Sequence, residues 1–241
     1  MEIRRVKKHD VDMTSGSVFR HLLNFAVPLL MGNIFQQLYN TVDTWVVGNY
    51  VSNEAFSAVG TVAPIINTLI GAFSGLASGA GVVISQYYGA GKYDRVKDAV
   101  HTAVMMTLVL SVVFTAIGIA MTPNMLRLMK TPAEVFPESR AYLNIYFSGM
   151  AGLMLYNMGA GILRAVGDSK RPFYYLVCAA VINTVLDLVF VIAFGMGVEG
   201  VAYATIIAQG ISAILTMLTL LRSESCVRVE LKLIRLHKDM L

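Results

Sequence analysis

AAVINTVLDLVFVIAF, residues 179–194, sets a carboxylate, Asp187, into an otherwise apolar run, with Asn183 four residues before it. A lone carboxylate at the centre of a bilayer costs about 2.5–3.5 kcal/mol. The run is therefore either no membrane span or a span whose acid has a use. FQQLYNTVDTWVVG at 35–48 raises the same question with Asp43.

The surrounding composition decides for the membrane. Hydrophobic residues make up 56% of the 241 and charged residues 14%, against about 25% charged in an average soluble domain. Asp, Glu, Lys and Arg are absent from 21–42, 55–91, 99–126, 141–163, 172–186 and 200–221. All but the fifth of these windows reach the ~17–25 residues that cross the hydrocarbon core. The fifth continues through Asp187 to Phe194. Six spans are predicted, over 18–50, 54–87, 94–122, 134–165, 171–194 and 198–222, and the fold class is an all-α six-helix membrane bundle. Turn chemistry separates the spans, as in GAGKYD (89–94), KTPAEVFP (130–137), GDSKRP (167–172) and GMGVEG (195–200).

Charge sets the orientation. Sixteen of the nineteen Lys and Arg fall in the two termini and the second and fourth loops, leaving Arg127, Lys130 and Arg140 on the other side. The positive-inside rule makes both termini cytoplasmic, in a multi-pass protein of the plasma (inner) membrane. It also accounts for the net +4 without nucleic acid as a partner. Residues 1–17 read as a cytoplasmic segment, 18–222 as the transmembrane lobe and 223–241 as a cytoplasmic linker or tail. Within that tail VRVELKL (227–233) alternates as a strand would, but a linker is the simpler reading. The apolar segment behind the basic N-terminus is too long for a cleavable signal. Cys178 and Cys226 suggest neither a disulfide nor a metal site.

Polar residues within the spans keep helical spacing. Asn33, Gln36, Asn40 and Asp43 share one face of the first span. Thr205, Gln209, Ser212 and Thr216 do so in the sixth. Large amides and a carboxylate do not improve close packing, so the first of these faces looks onto the bundle interior or water. The second span carries Gly60, Pro64, Asn67, Gly71, Ser74, Ser78, Gly81 and Ser85; a face of small residues is expected to pack tightly on a neighbouring helix. In the fourth span Met150, Met154 and Met158 recur at i, i+4, with Tyr146 and Asn157 nearby. Met suits a wall that adapts to varied ligands, though core filling is the simpler reading. Together with Gln36 and Asn40, Tyr146, Met150, Met154 and Asn157 form the candidate substrate cavity. His101 reads as an interfacial residue.

Four stretches then carry a resemblance: FAVPLLMGNIFQQLYNTVDTWVVGNYV, SGAGVVISQYYGAGKYDRVKDAVHT, GILRAVGDSKRPFYYLVCAAVINTVLD and GVEGVAYATIIAQ. In this order they resemble successive signatures of the MATE (multidrug and toxic compound extrusion) family. The resemblance implies an antiporter, not an enzyme, that exports bulky cationic drugs or toxic organic compounds while Na+ or H+ runs inward. The fold it implies has two lobes of six helices, twelve in all, of which this chain matches the N-terminal one. The other six helices would come from a second lobe or a homodimer partner. No cofactor is implied beyond the coupling ion. Carried onto this sequence, the cation site comprises Asp43, Asn183, Asp187 and Thr205, with Tyr39 one turn before Asp43. With Na+, Asp43, Asn183 and Asp187 are the metal ligands. Pro28 is the point where the first helix bends.

Two carboxylates facing one cavity can hold a proton between them, or exchange it for a metal cation, as a coupled unit. Three other readings compete. A lipid-linked sugar flippase of the same superfamily calls for basic residues in the cavity, and none lies mid-span. An intramembrane aspartyl protease calls for Gly-x-Gly-Asp, whereas Asp187 sits in Thr-Val-Leu-Asp. The third is a non-transporting half that needs a partner lobe.

Overall fold

The computed structural model describes residues 17–230 and Leu233, so segment 1–16, most of the predicted N-terminal segment, and most of the tail beyond 230 lie outside the described residues. Among the described residues all regular structure is helical. In chain order the helices are α1 (Val18–Tyr50), α2 (Asn53–Gly89), α3 (Tyr93–Leu128), α4 (Phe136–Ser148), α5 (Met150–Ala165), α6 (Lys170–Leu188) and α7 (Val198–Arg222); α6 runs on into a π-helical turn, Val189–Ala193. They form a six-span membrane bundle in which α4 with α5 makes the fourth span and α6 with the π turn the fifth.

Four stretches qualify as spans on length and hydropathy alone: α2, α3, Lys170–Ala193 and α7. α1, at 33 residues, is long enough to cross and joins the bundle through its packing on α6. The fourth span, predicted as one helix, is divided at Gly149 into pieces of 13 and 16 residues, each short of the ~20 a crossing needs. The ladder tightens there: the Gly149 N–H reaches both Ile145 O (3.3 Å) and Tyr146 O (3.1 Å), and the Gly152 N–H bonds Gly149 O at 3.0 Å. A side chain at Gly149 would run into Ile206 of α7, so the break sits where two helices touch. Across the bundle, Thr115 of α3 donates to the Phe147 carbonyl at 3.0 Å. In a bilayer a carbonyl loosened from its ladder needs such a partner.

Helix α1 packs on α6, α6 on α7, and α7 on α4 and α5, while α2 and α3 close the far side against α4 and α5. Close approach rests on small residues, as membrane helices require. A Cβ on Gly152 would lie 3.2 Å from Gly210 Cα, and one on Gly161 2.9 Å from the Ala77 carbonyl. The small face of α2 departs from its expected packing. Only Gly81 meets a neighbour, next to Gly161 O; Gly60, Pro64, Asn67, Gly71, Ser74, Ser78 and Ser85 are exposed. α2 buries the opposite side, through Ala55, Ala58, Val62, Phe73, Ala77 and Ile84.

The chain beyond α7 turns back onto the bundle. Val227 and Val229 are each 1% exposed and join a cluster with Ile84, Val100, Ile162 and Leu220. The alternating VRVELKL stretch forms no strand among the described residues.

Candidate functional site

The carboxylates that opened the question meet inside the bundle. Asp43 on α1, Asn183 and Asp187 on α6 and Thr205 on α7 are 5%, 1%, 0% and 4% exposed. Spacing by four puts Asn183 and Asp187 on one face of α6, and the packing of α6 on both α1 and α7 aims that face at Asp43 and Thr205. Thr205 Oγ1 lies 3.3 Å from Asp43 Oδ2 and 3.0 Å from Val201 O. Its single proton serves one of them at a time, so Asp43 competes with a helix carbonyl for it. The Asn183 amide donates to Thr205 Oγ1 at 3.5 Å. The Asp187 carboxyl lies beside that of Asp43.

Partners run out there. Asp43 Oδ1, Asn183 Oδ1 and both Asp187 oxygens are buried with no hydrogen-bond donor. Two ionised carboxylates only accept, so nothing in the cluster satisfies these oxygens unless a proton or a cation sits among them. A buried polar atom left so costs about 1–3 kcal/mol, more when charged. The donor set is hard oxygen throughout: carboxylate, amide and hydroxyl. No His or Cys joins it, and the described residues contain no group of three His, Cys, Asp or Glu that could hold a metal. Such a set fits a weakly held alkali cation or a shared proton, not zinc or another transition metal.

A cavity of about 40 Å³ adjoins the cluster between α1, α5, α6 and α7. Asn183 and Thr205 line both it and the carboxylate cluster, and Gln36, Tyr39 and Asn157 complete its polar wall with Gln209 and Ser212. Tyr39 is beside Asp43 as well as Gln36 and Gln209, so it bridges cluster and cavity. On this measure about 10–15 Å³ is enough to hold a water. The space therefore suits a water or an ion.

The other named residues fall elsewhere. Met150 and Met154 are 0% and 2% exposed in the apolar core with Leu143 and Phe147, and Met158 belongs to a second core cluster; these methionines fill space between helices and do not line the cavity. Tyr146 is buried and stacked on Tyr142 with centroids 6.5 Å apart, its hydroxyl unpartnered. Asn40 donates to Gln37 at 3.4 Å on its own helix. Pro28 lies within an uninterrupted α1. Three polar cavity residues were not singled out for the site. Gln209 and Ser212 stood in the polar stripe of the sixth span, one and two turns beyond Thr205. Tyr156, whose hydroxyl donates to Pro172 O at 3.1 Å, gave no signal, because an aromatic in a membrane span is ordinary.

Comparison with known proteins agrees with this architecture. The family model described as MatE matches residues 28–189. The probable multidrug resistance protein YoeA of Bacillus subtilis (strain 168) is 38% identical over 210 residues, covering 86% of this chain and 45% of that protein. Its neighbour in similarity, the probable multidrug resistance protein YpnP of the same strain, is 34% identical over 201 residues, or 83% of this chain and 45% of its own. Among solved structures, the outward-facing conformation of a multidrug resistance MATE family transporter superimposes with a TM-score of 0.90 at 24% identity, covering 98% of this chain and 52% of that one. The chain spans about half the length of the curated relatives it matches.

Proposed function

This chain belongs to the MATE family, and from that premise we propose that it is the ion-binding lobe of an efflux transporter. Inward movement of Na+ or H+ through the Asp43–Asp187 cluster drives export of bulky, cationic organic compounds. The observation that carries this reading is the set of buried oxygens without donors on Asp43, Asn183 and Asp187. Four such oxygens, three of them carboxylate, crowd one buried cluster.

A ligand shifts a conformational equilibrium only through its differential affinity for the two states. In this lobe the lever is the wall shared by cluster and cavity. A cation drawn to Asp43 and Asp187 recruits the Asn183 carbonyl oxygen and frees Thr205 to bond Val201 O, which alters the cavity lining at the same two residues. About 40 Å³ is far below the 300–1,000 Å³ of drug-sized pockets. The compound is therefore bound only when α1 moves away from α7, with Pro28 as the bend and Gln36, Tyr39 and Asn157 lining the widened space. The protein resides in the plasma membrane, with residues 1–17 and 223–241 on the cytoplasmic side of the 18–222 lobe. The half-length match to relatives favours a second six-helix unit for complete transport. A lipid-linked sugar flippase is disfavoured, since no cation lines the cavity.

The test is reconstitution of the complete transporter in vesicles with Na+ and proton gradients imposed separately. One of the two gradients drives uptake of a fluorescent organic cation, and Asp43→Asn and Asp187→Asn each abolish it at normal membrane expression. Gradient-driven transport that survives either substitution refutes the assignment.

A further inference from the structure

His101 of α3 is 2% exposed, and both of its ring nitrogens are engaged. Nδ1 is 2.7 Å from the Lys97 carbonyl, and the backbone N–H of Glu230 points at Nε2 from 2.9 Å. An amide N–H only donates, so Nε2 carries the lone pair and the ring proton lies on Nδ1, donated to Lys97 O. One tautomer of the neutral ring satisfies both bonds. The residues it holds are the chain leaving α7: besides the burial of Val227 and Val229, the Val229 N–H bonds Leu220 O at 3.1 Å and the Arg228 N–H bonds Ser225 O at 3.2 Å. Lys97 Nζ and Glu230 Oε1 pair at 3.3 Å across the same contact. Ser223, Glu224, Ser225 and Val227 in turn form one wall of a cavity of about 500 Å³ against α6 and α7.

We propose that His101 is a proton-operated clasp on the 223–230 segment, closed while the imidazole is neutral and opened when Nε2 takes up a proton. The second proton converts the acceptor facing Glu230 N–H into a donor, and two donors cannot share a bond. Buried as the ring is, no water replaces the lost acceptor without moving the segment. The segment then lifts from α3 and takes with it the wall of the cavity. Charged and titratable groups at this end of the bundle include Tyr87 and Tyr88 on α2, Lys92 in the turn before α3, Tyr93, Asp94, Arg95, Lys97 and Asp98 on α3, Arg164 on α5, Arg222 on α7, and Glu224, Arg228 and Glu230 on the segment itself. Lys97 and Glu230 offset each other's charge across the contact. The clasp joins α3 to the 223–230 segment and shares no residue with the Asp43–Asp187 cluster, so it stands or falls independently of the transport reading.

The test is hydrogen–deuterium exchange of residues 226–230 in the full chain, embedded in lipid nanodiscs, from pD 8 to pD 5, with rates corrected for intrinsic chemistry. Protection is expected to fall at least tenfold across this range in the wild type. It should persist at both ends in His101→Gln, whose amide oxygen accepts the same N–H without titrating. Lys97→Met, which removes the ion pair alone, should keep the wild-type response. Unchanged wild-type protection, or an equal loss in His101→Gln, overturns the proposal. If His101→Gln exposes the segment at every pD, ¹⁵N resonances of the wild-type imidazole decide. A protonation midpoint that coincides with the loss of protection supports the clasp, and one that does not refutes it.

Discussion

Replacing Asp187 by Asn separates the ion's contribution from that of the fold. In the ion-free chain four buried oxygens on Asp43, Asn183 and Asp187 lack donors. An amide at position 187 brings a donor within reach of Asp43 and removes one of the two buried charges. Satisfying one buried acceptor is worth about 1–3 kcal/mol. For a chain of this length each kcal/mol moves the melting temperature by about 2–4 °C, so ion-free Asp187→Asn should melt about 2–12 °C above ion-free wild type. Ligand reverses the order. A cation that binds only the folded state at a hundred times its Kd adds about 2.7 kcal/mol, which is about 5–10 °C, and Asp187→Asn should lose that increment. The assay is a melt in detergent micelles followed by intrinsic fluorescence, with Na+ titrated at fixed pH and acid titrated without Na+. Wild type should respond to at least one of the two. A substituted chain that keeps the full increment refutes the reasoning, and so does a wild type indifferent to both.

Gly161 and Gly75 make a matched pair for the packing argument. A Cβ on Gly161 would press on the Ala77 carbonyl at 2.9 Å, whereas Gly75 has nothing within 4 Å. Gly161→Ala should therefore destabilise by about 1–3 kcal/mol through forced backbone displacement, and Gly75→Ala should be neutral or gain up to about 1 kcal/mol from helix propensity; reversible unfolding in mixed micelles measures both. Orientation is checked by single cysteines in a background lacking Cys178 and Cys226. Positions within 89–94 and 167–172 should resist an impermeant thiol reagent in intact cells, and positions within 51–54, 127–137 and 195–200 should react.

Much of the cluster was legible because a carboxylate in hydrocarbon is costly enough to need a reason. Asp43 and Asp187 announced themselves by that cost, Asn183 by its spacing from Asp187, and Thr205 through the family resemblance. Periodicity identifies a face, but not what the face meets. Met150, Met154 and Met158 recur at the same step whether they line a cavity or fill a core, and the structure has them filling a core. The small residues of α2 show the same ambiguity, since the pattern defined the stripe but not its exposure. The break at Gly149 has no proline or charge to mark it and is visible only beside Ile206. The bond from Glu230 to His101 joins positions 129 residues apart. No local pattern encodes a contact of that kind.

The exposed face of α2 bears on how this lobe works. Asn67, Ser74 and Ser78 lie open together with Gly60, Pro64 and Gly71, and lipid tails offer hydroxyls and amides no partner. α3, by contrast, exposes Val109, Val112, Val113, Ile117 and Ile119, which suit lipid directly. The asymmetry marks α2 as a side that meets protein or water in the membrane. Six is an even number of spans, so a second six-helix unit laid against that side has the same orientation as the first. With the proposed ion site contained within one unit and the face open to another, residues 1–241 expressed alone should fold and bind the ion. They should not move a compound across the bilayer. The measurement is paired: ion-dependent melting of the purified chain, and drug resistance of cells that produce only these residues. Resistance above vector background that disappears with Asp43→Asn would show that this chain transports without a separate second lobe, by itself or as a pair of identical copies. Cysteine crosslinking between copies through position 71 would then tell the two apart, because only a paired arrangement buries the α2 face against itself.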